Sequence, residues 1–315
     1  MTVAKVRIGE PYHVVYYAPL HVAQLGGYFA AQGIDVEIVP AASFAALSAG
    51  WNSQSSAPRA EPEDSIDIAV GGIMRSLVAY DRGEAVVPVH FARVNDRDGF
   101  LLLGRVDGFA WPDLLGKQLI VFAEAPTPLY VLRNLLRNQG LDADRVVVID
   151  DVPITEVAEA FRNGRGDFVL TQAHVAEELL RDGSGFLLRA MAKEAGPLPY
   201  SSYYCSSELL RREVETVRSV ARGNAAATKW MRSHTGDEIW EMIRPAFAEG
   251  DEVLLRAATA HYRALGIWGS DTTLPVESYE GLANALHGGG LITRVAPYRT
   301  IIQDEAAREA EAELG

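Results

Sequence analysis

Residues 16–39 read YYAPLHVAQLGGYFAAQGIDVEIV, and the fold follows from how this stretch must run. Pro19 sits where a first helical turn accepts it, because the N–H it lacks would have no acceptor there. Leu20, Ala23, Gln24 and Gly27 continue at helical spacing. Gly33 is placed to end the helix, and residues 36–39 form the next strand. Residues 3–8 alternate as a preceding strand. A strand, helix and strand in so short a span make a β-α-β unit, which forces a parallel pair with a crossover helix.

Working outward, residues 50–65, GWNSQSSAPRAEPEDS, are polar and rich in Ser, Pro and Glu, as a surface loop is. Residues 66–70 predict a strand that ends at Gly71-Gly72, followed by a helix over 73–80. Residues 86–94 predict a buried strand, 95–99 a polar turn, and 100–103 another strand. The pattern then restarts. Strands are predicted over 117–122, 146–149 and 168–170, and helices over 127–138, 154–162 and 175–181. Thr127-Pro128 reads as N-cap and first helical residue. After Pro197 the composition turns helical, with amphipathic helices over 208–233, 236–248, 251–265 and 279–286. The charged tail from Asp304 reads as a solvated helix or a frayed end.

Composition narrows the function classes. The 315 residues are 48% hydrophobic, and the length exceeds what one core usually serves, so two lobes are expected. The net charge of -13 repels phosphate backbones, which argues against a nucleic-acid partner. The single cysteine, Cys205, excludes an internal disulfide framework and cysteine-based zinc motifs. No metal-ligand spacing stands out among the seven histidines, and no cofactor motif is present. No run of about 18 apolar residues would span a membrane. The N-terminal MTVAKVRIGEPYH carries no secretory signal. A periplasmic or extracellular location is expected if a signal was trimmed, and a cytoplasmic one if Met1 is the native start.

Residues 16–39 also resemble the opening helix of the nitrate, taurine and thiamine-pyrimidine binding proteins that feed bacterial ABC importers. The matching positions are Pro19, Val22, Ala23, Gly27, Tyr28, Phe29, Gly33, Ile34, Asp35, Val36 and Glu37. Further resemblances come in order: Ile66-Asp67-Ile68-Ala69, Asp113-Leu114-Leu115-Gly116-Lys117, Ala160-Phe161-Arg162-Asn163-Gly164 with Gly166-Asp167, and the tail from Gly266 to Ile302. The resemblance implies an α/β fold of the periplasmic-binding-protein-like type II kind. Two β/α lobes are joined by two crossover segments, with a ligand cleft between them. It places one lobe in residues 1–94 and 198–315 and the other in 95–197, and it implies a monomer.

In such a fold the loop ends that face the cleft are the candidate site. Tyr12, His13, Tyr16 and Tyr17 form an aromatic cluster in the first β-α loop, suited to stacking on a planar ligand. Some of these rings are equally expected to cover the core. Gly71 and Gly72 let backbone N–H groups approach a ligand. Arg75 is placed to hold an acidic group, or else to pair with Asp81 or Glu84. Glu124 precedes Thr127 where relatives that bind small oxyanions tend to carry Gly-Ser, and a carboxylate there argues against nitrate and taurine. Gln172 can donate and accept, as a heteroaromatic ring requires. His174 is a contact or an ordinary helix-start histidine. Tyr200 and Tyr203 lie at the return crossing, and Cys205 reads as core.

The same fold hosts enzymes. The chain resembles thiamine-pyrimidine synthases of the yeast type around residues 16–29. It lacks their histidine, at Tyr17 or Arg75, and their cysteine-rich run, where GPLPYSSYYCSS stands. It also lacks the first-loop cysteine nucleophile of biphenyl-sulfinate desulfinases, since that loop reads PYHVVYY. The leading expectation is therefore a binder of a pyrimidine-like or other planar ligand that serves an ABC permease. The alternative is a cytosolic enzyme or ligand sensor on the same fold.

Overall fold

A computed structural model describes residues 4–40, 68–121 and 126–314. The polar 50–65 segment, the first two residues of the Ile66–Ala69 motif and Glu124 lie outside the described residues.

Ten strands build two five-stranded sheets among the described residues. The first contains β1 (Ala4–Glu10), β2 (Ile34–Pro40), β3 (Ile68–Gly72) and β4 (Val89–Arg97). The second contains β5 (Leu101–Gly104), β6 (Gln118–Ile120), β7 (Val147–Ile149), β8 (Phe168–Thr171) and β9 (Phe186–Ala190). The last strand, β10 (Pro197–Cys205), returns to the first sheet. The orders are β2-β1-β3-β10-β4 and β7-β6-β8-β5-β9. In each sheet three parallel strands meet one antiparallel strand, β10 or β5, which is the strand the chain enters on crossing over. The two halves thus share one topology, the two-lobed, type II binding-protein arrangement. The β1–β2 register, Ala4 on Ile34 through Glu10 on Pro40, makes the first unit the parallel pair its sequence requires.

The local readings fail where tertiary contacts decide. The first helix is Ala18–Leu25 and stops at Gly26-Gly27, with Gly27 at φ +74. The Gly26 N–H closes on the Val22 carbonyl oxygen at 2.9 Å, and the left-handed backbone at Gly27 then turns the chain out of the helix earlier than spacing suggests. Gly33, at φ +75, caps a short turn instead. β4 runs on through the predicted 95–99 turn as far as Arg97. The strands β9 and β10 replace what reads as crossing and helix onset. Thr127 is already the first helical residue, and Pro126 stands at the cap position. The predicted 208–233 helix is two, Ser207–Arg212 and Val214–Arg232. The tail helix Glu305–Leu314 is docked, with Ala307 and Ala310 fully buried and Glu313 paired to Arg222.

Two helices near the C-terminus span both sheets. Helix Glu252–Leu265 packs against Gly236–Ile243 on one side and Ala173–Arg181 on the other. Helix Val276–Gly289 packs against Thr127–Asn138 and against β10.

Candidate functional site

Four strand ends point at one place between the sheets. β1 leads into the loop of Tyr12, Tyr16 and Tyr17. β3 leads through Gly72 into the first turn of helix Met74–Arg82, which carries Met74 and Arg75. The segment after β6 leads to Thr127, and β8 leads to Gln172. Together with Phe100, Tyr200 and Ser201 from the two crossings, these residues line one pocket of about 460 Å3, part of it open to solvent. Convergence of strand carboxyl ends is what makes ligand sites in open α/β sheets.

The pocket floor is aromatic and tightly seated. Tyr16 and Tyr17 are both buried, with ring centroids 5.6 Å apart. Tyr16 meets Tyr200 and Tyr262 edge-on and donates its hydroxyl to the Arg97 carbonyl at 2.9 Å. Only glycine fits beneath it, since a Cβ at Gly99 would lie 2.4 Å from the Tyr16 ring. Burial raises the Tyr17 phenol, against the opposing pull of Arg75 and a hydrogen bond with Ser201, so Tyr17 stays a neutral hydroxyl. Gln172 is buried, and its Oε1 has no hydrogen-bond partner among the described residues. A buried amide oxygen in that condition carries a desolvation cost that a ligand N–H would remove.

Of the residues singled out from sequence, the pocket gathers Tyr12, Tyr16, Tyr17, Gly72, Arg75, Thr127, Gln172 and Tyr200. Asp81, one partner considered for Arg75, is instead held by Thr293 and Arg294. Four others lie elsewhere. Gly71 is buried in β3 against the Tyr204 ring. Tyr203 is buried with its ring stacked on Phe91. The pairing of β10 with β4 shifts register between Tyr203 and Tyr204, and both rings are buried. His13 and His174 line a separate hollow with Val14, Pro245 and Phe247. Ser201, beside Tyr200 at the return crossing, also lines the pocket; Met74 and Phe100 reach it without having been singled out, and their place next to Arg75 and to the turn ending at Gly99 was the signal for each.

Comparison with known proteins agrees with this geometry. Residues 14–237 match the family model described as NMT1/THI5 like. The chain belongs to the NMT1/THI5-like family. A curated relative is YtlA of Bacillus subtilis (strain 168), 24% identical over 99% of this chain and 91% of its own. Among solved structures, the ligand binding component of an ABC-type import system from Staphylococcus aureus, solved with zinc bound, superposes with TM-score 0.76. It is 13% identical, over 98% of this chain and 99% of that one. The sulfonate-binding protein SsuA of Methylobacillus flagellatus KT superposes with TM-score 0.72 at 18% identity, over 99% of this chain and 95% of that one. These likenesses carry the fold.

Two buried carboxyl groups flank the pocket of this NMT1/THI5-like chain. Asp98 follows β4 at the first crossing and is fully buried; its Oδ1 accepts from the Phe100 N–H at 2.8 Å. Burial pushes its pKa up to about 7, against the opposing interactions with Phe100 and the Tyr200 hydroxyl. Glu10, at the end of β1, directs its two carboxylate oxygens to His13 and His21. Burial opposes its charge, but hydrogen bonds with His13 and His21 outweigh burial and hold it below the ordinary carboxylate value. His13 thus has an acid partner in Glu10, three residues earlier, at 2.8 Å. Burial lowers His174 to about 4, so it is neutral at physiological pH.

Proposed function

We propose that this protein captures a small planar heteroaromatic ligand, pyrimidine-like in its pattern of donors and acceptors, and delivers it to an ABC importer. The observation that carries this reading is the pocket itself. Tyrosine rings from one lobe face the unpartnered Gln172 oxygen from the other, so a flat ring seated between them stacks and donates at once. The lobes are residues 1–94 with 198–315, and 95–197, and closure about their two crossings encloses the ligand. The partner is a permease, the chain acts as a monomer, and its place is outside the cytoplasmic membrane. Among the described residues no helix is long and apolar enough to cross one.

Calorimetric titration tests the proposal against thiamine-pyrimidine precursors, riboflavin-like rings, taurine, alkyl sulfonates and aromatic carboxylates. A planar N–H donor is expected to bind one to one, to be recovered unaltered, and to lose about tenfold in affinity in Gln172→Leu, the worth of one hydrogen bond. Binding confined to taurine or sulfonates overturns the ligand class. A ligand that is consumed moves the protein to the enzymes.

A further inference from the structure

Glu10, His13 and His21 lie on the far side of the tyrosine loop, and each offers one ligand atom within 4.8 Å of the other two. Glu10 Oε2 is 2.8 Å from His13 Nδ1, and Oε1 is 2.9 Å from His21 Nε2. The two imidazoles stand nearly perpendicular, with centroids 5.2 Å apart. His13 also places Nε2 2.9 Å from the Ala246 carbonyl oxygen and stacks its ring on Phe247. A carbonyl can only accept, so Nε2 carries the proton. In the neutral ring Nδ1 then presents a lone pair to a carboxylate oxygen. Two acceptors at hydrogen-bond distance require something positive between them, either a second proton on His13 or a metal cation.

The rest of the arrangement suits a cation. A backbone carbonyl that holds the distal N–H of an imidazole is the usual outer support of a metal-bound histidine. In the metal-free chain the His21 proton sits on Nε2 against Glu10 Oε1; His21 Nδ1 is buried with no partner among the described residues and takes that proton when Nε2 turns its lone pair to a cation. Two imidazoles and one carboxylate make a nitrogen-rich set that suits zinc and its first-row neighbours better than calcium or magnesium. Tetrahedral zinc needs ligand atoms about 3.4 Å apart, so each contact opens by about half an ångström. The hollow lined by His13, His174 and Glu249 lies against the exposed side of the cluster and leaves room for a fourth ligand such as water.

We propose that Glu10, His13 and His21 form a binding site for one divalent transition-metal ion of the zinc type. Glu10 precedes and His21 follows the loop that carries Tyr12, Tyr16 and Tyr17, so the ion clamps both ends of the segment that builds the pocket floor. The proposal does not depend on which organic ligand the pocket takes.

The test uses the full chain, stripped with chelator and titrated with zinc chloride at neutral pH. One equivalent is expected to bind. His13→Ala and Glu10→Gln are each expected to weaken it at least tenfold, while His234→Ala, at a histidine stacked on Trp230, leaves it unchanged. Circular dichroism checks that each variant folds. Because Glu10 is buried and its variant is the one at risk, wild-type histidine NMR supplies a second readout, in which zinc is expected to shift the His13 and His21 ring resonances. Failure of stoichiometric binding, binding undiminished in folded His13→Ala, or shifts confined to other histidines overturns the proposal and leaves the cluster as a protonated ion pair.

Discussion

Asp98 shows how much one residue depends on its surroundings. In the sequence it belongs to a polar turn, Asn95 to Gly99. In the fold it is sealed among Tyr16, Tyr200 and Tyr262, whose titrations all feel its charge. Its folded pKa of about 7 lies above the ordinary 3.8. Between these values the folded chain holds a proton that the unfolded chain has released. This contribution to stability is complete below about pH 4, declines as pH rises and is gone above about pH 7. In that window Asp98 alone lowers the folding equilibrium by about tenfold for each step of one in pH. Asp98→Asn keeps an acceptor for the Phe100 N–H and cannot ionise. It is expected to flatten the decline in melting temperature across the same window. An unchanged profile in the variant would assign the decline to other groups. Gly99 makes the complementary point, since its identity was visible but the ring that demands it was not.

Among the elements, helix Val276–Gly289 has the most specific packing. A Cβ on Gly289 would lie 2.1 Å from the Tyr130 carbonyl oxygen, and one on Gly288 would lie 2.2 Å from the Asn134 side chain. The last turn of this helix therefore rests on the backbone of helix Thr127–Asn138, and Arg137 reaches back to the Gly288 carbonyl oxygen. In an isolated helix Gly→Ala would stabilise by about 1 kcal/mol. Here Gly289→Ala is expected to destabilise by about 1–3 kcal/mol in a denaturant titration, because a carbonyl on a helix backbone cannot move aside as a side chain can. Element type was legible wherever a segment had its own period, as in the parallel β1–β2 unit. It was hidden for β9 and β10, whose residues Phe186–Ala190 and Pro197–Cys205 become strands because neighbours complete their hydrogen bonds.

At the scale of the whole molecule, two helices decide how the lobes meet. Tyr262 meets Tyr16 and Trp268 edge-on, while its hydroxyl oxygen accepts from the Ala173 N–H at the start of helix Ala173–Arg181, 3.0 Å away. One residue earlier, His261 pairs with Glu177 at 2.8 Å. These contacts join helix Glu252–Leu265 to helix Ala173–Arg181, which lies against the second sheet. Tyr262→Phe leaves the Ala173 N–H unpaired in the closed form, at about 1 kcal/mol, whereas an open form lets water reach it. Ligand affinity is expected to fall by roughly fivefold with little change in the melting temperature of the ligand-free chain. Equal affinity would mean that closure does not depend on this contact.

The chain itself determines what is local and periodic: the β-α-β opening, the strands and helices that carry a period of their own, and the residue types at strand ends from which a cleft is lined. Each follows from spacing and backbone preference within about twenty residues, short enough for the pattern to be read along the chain. Tertiary structure alone decided which strand-end residues share a pocket. It set Tyr16 and Tyr17 against Gln172 across two sheets, and turned His13 away to Glu10, His21 and the Ala246 carbonyl. It also removed Asp98 from water. Contacts between residues dozens to hundreds of positions apart leave no period in a sequence. Burial and partner choice, which set protonation and site membership, depend on those contacts.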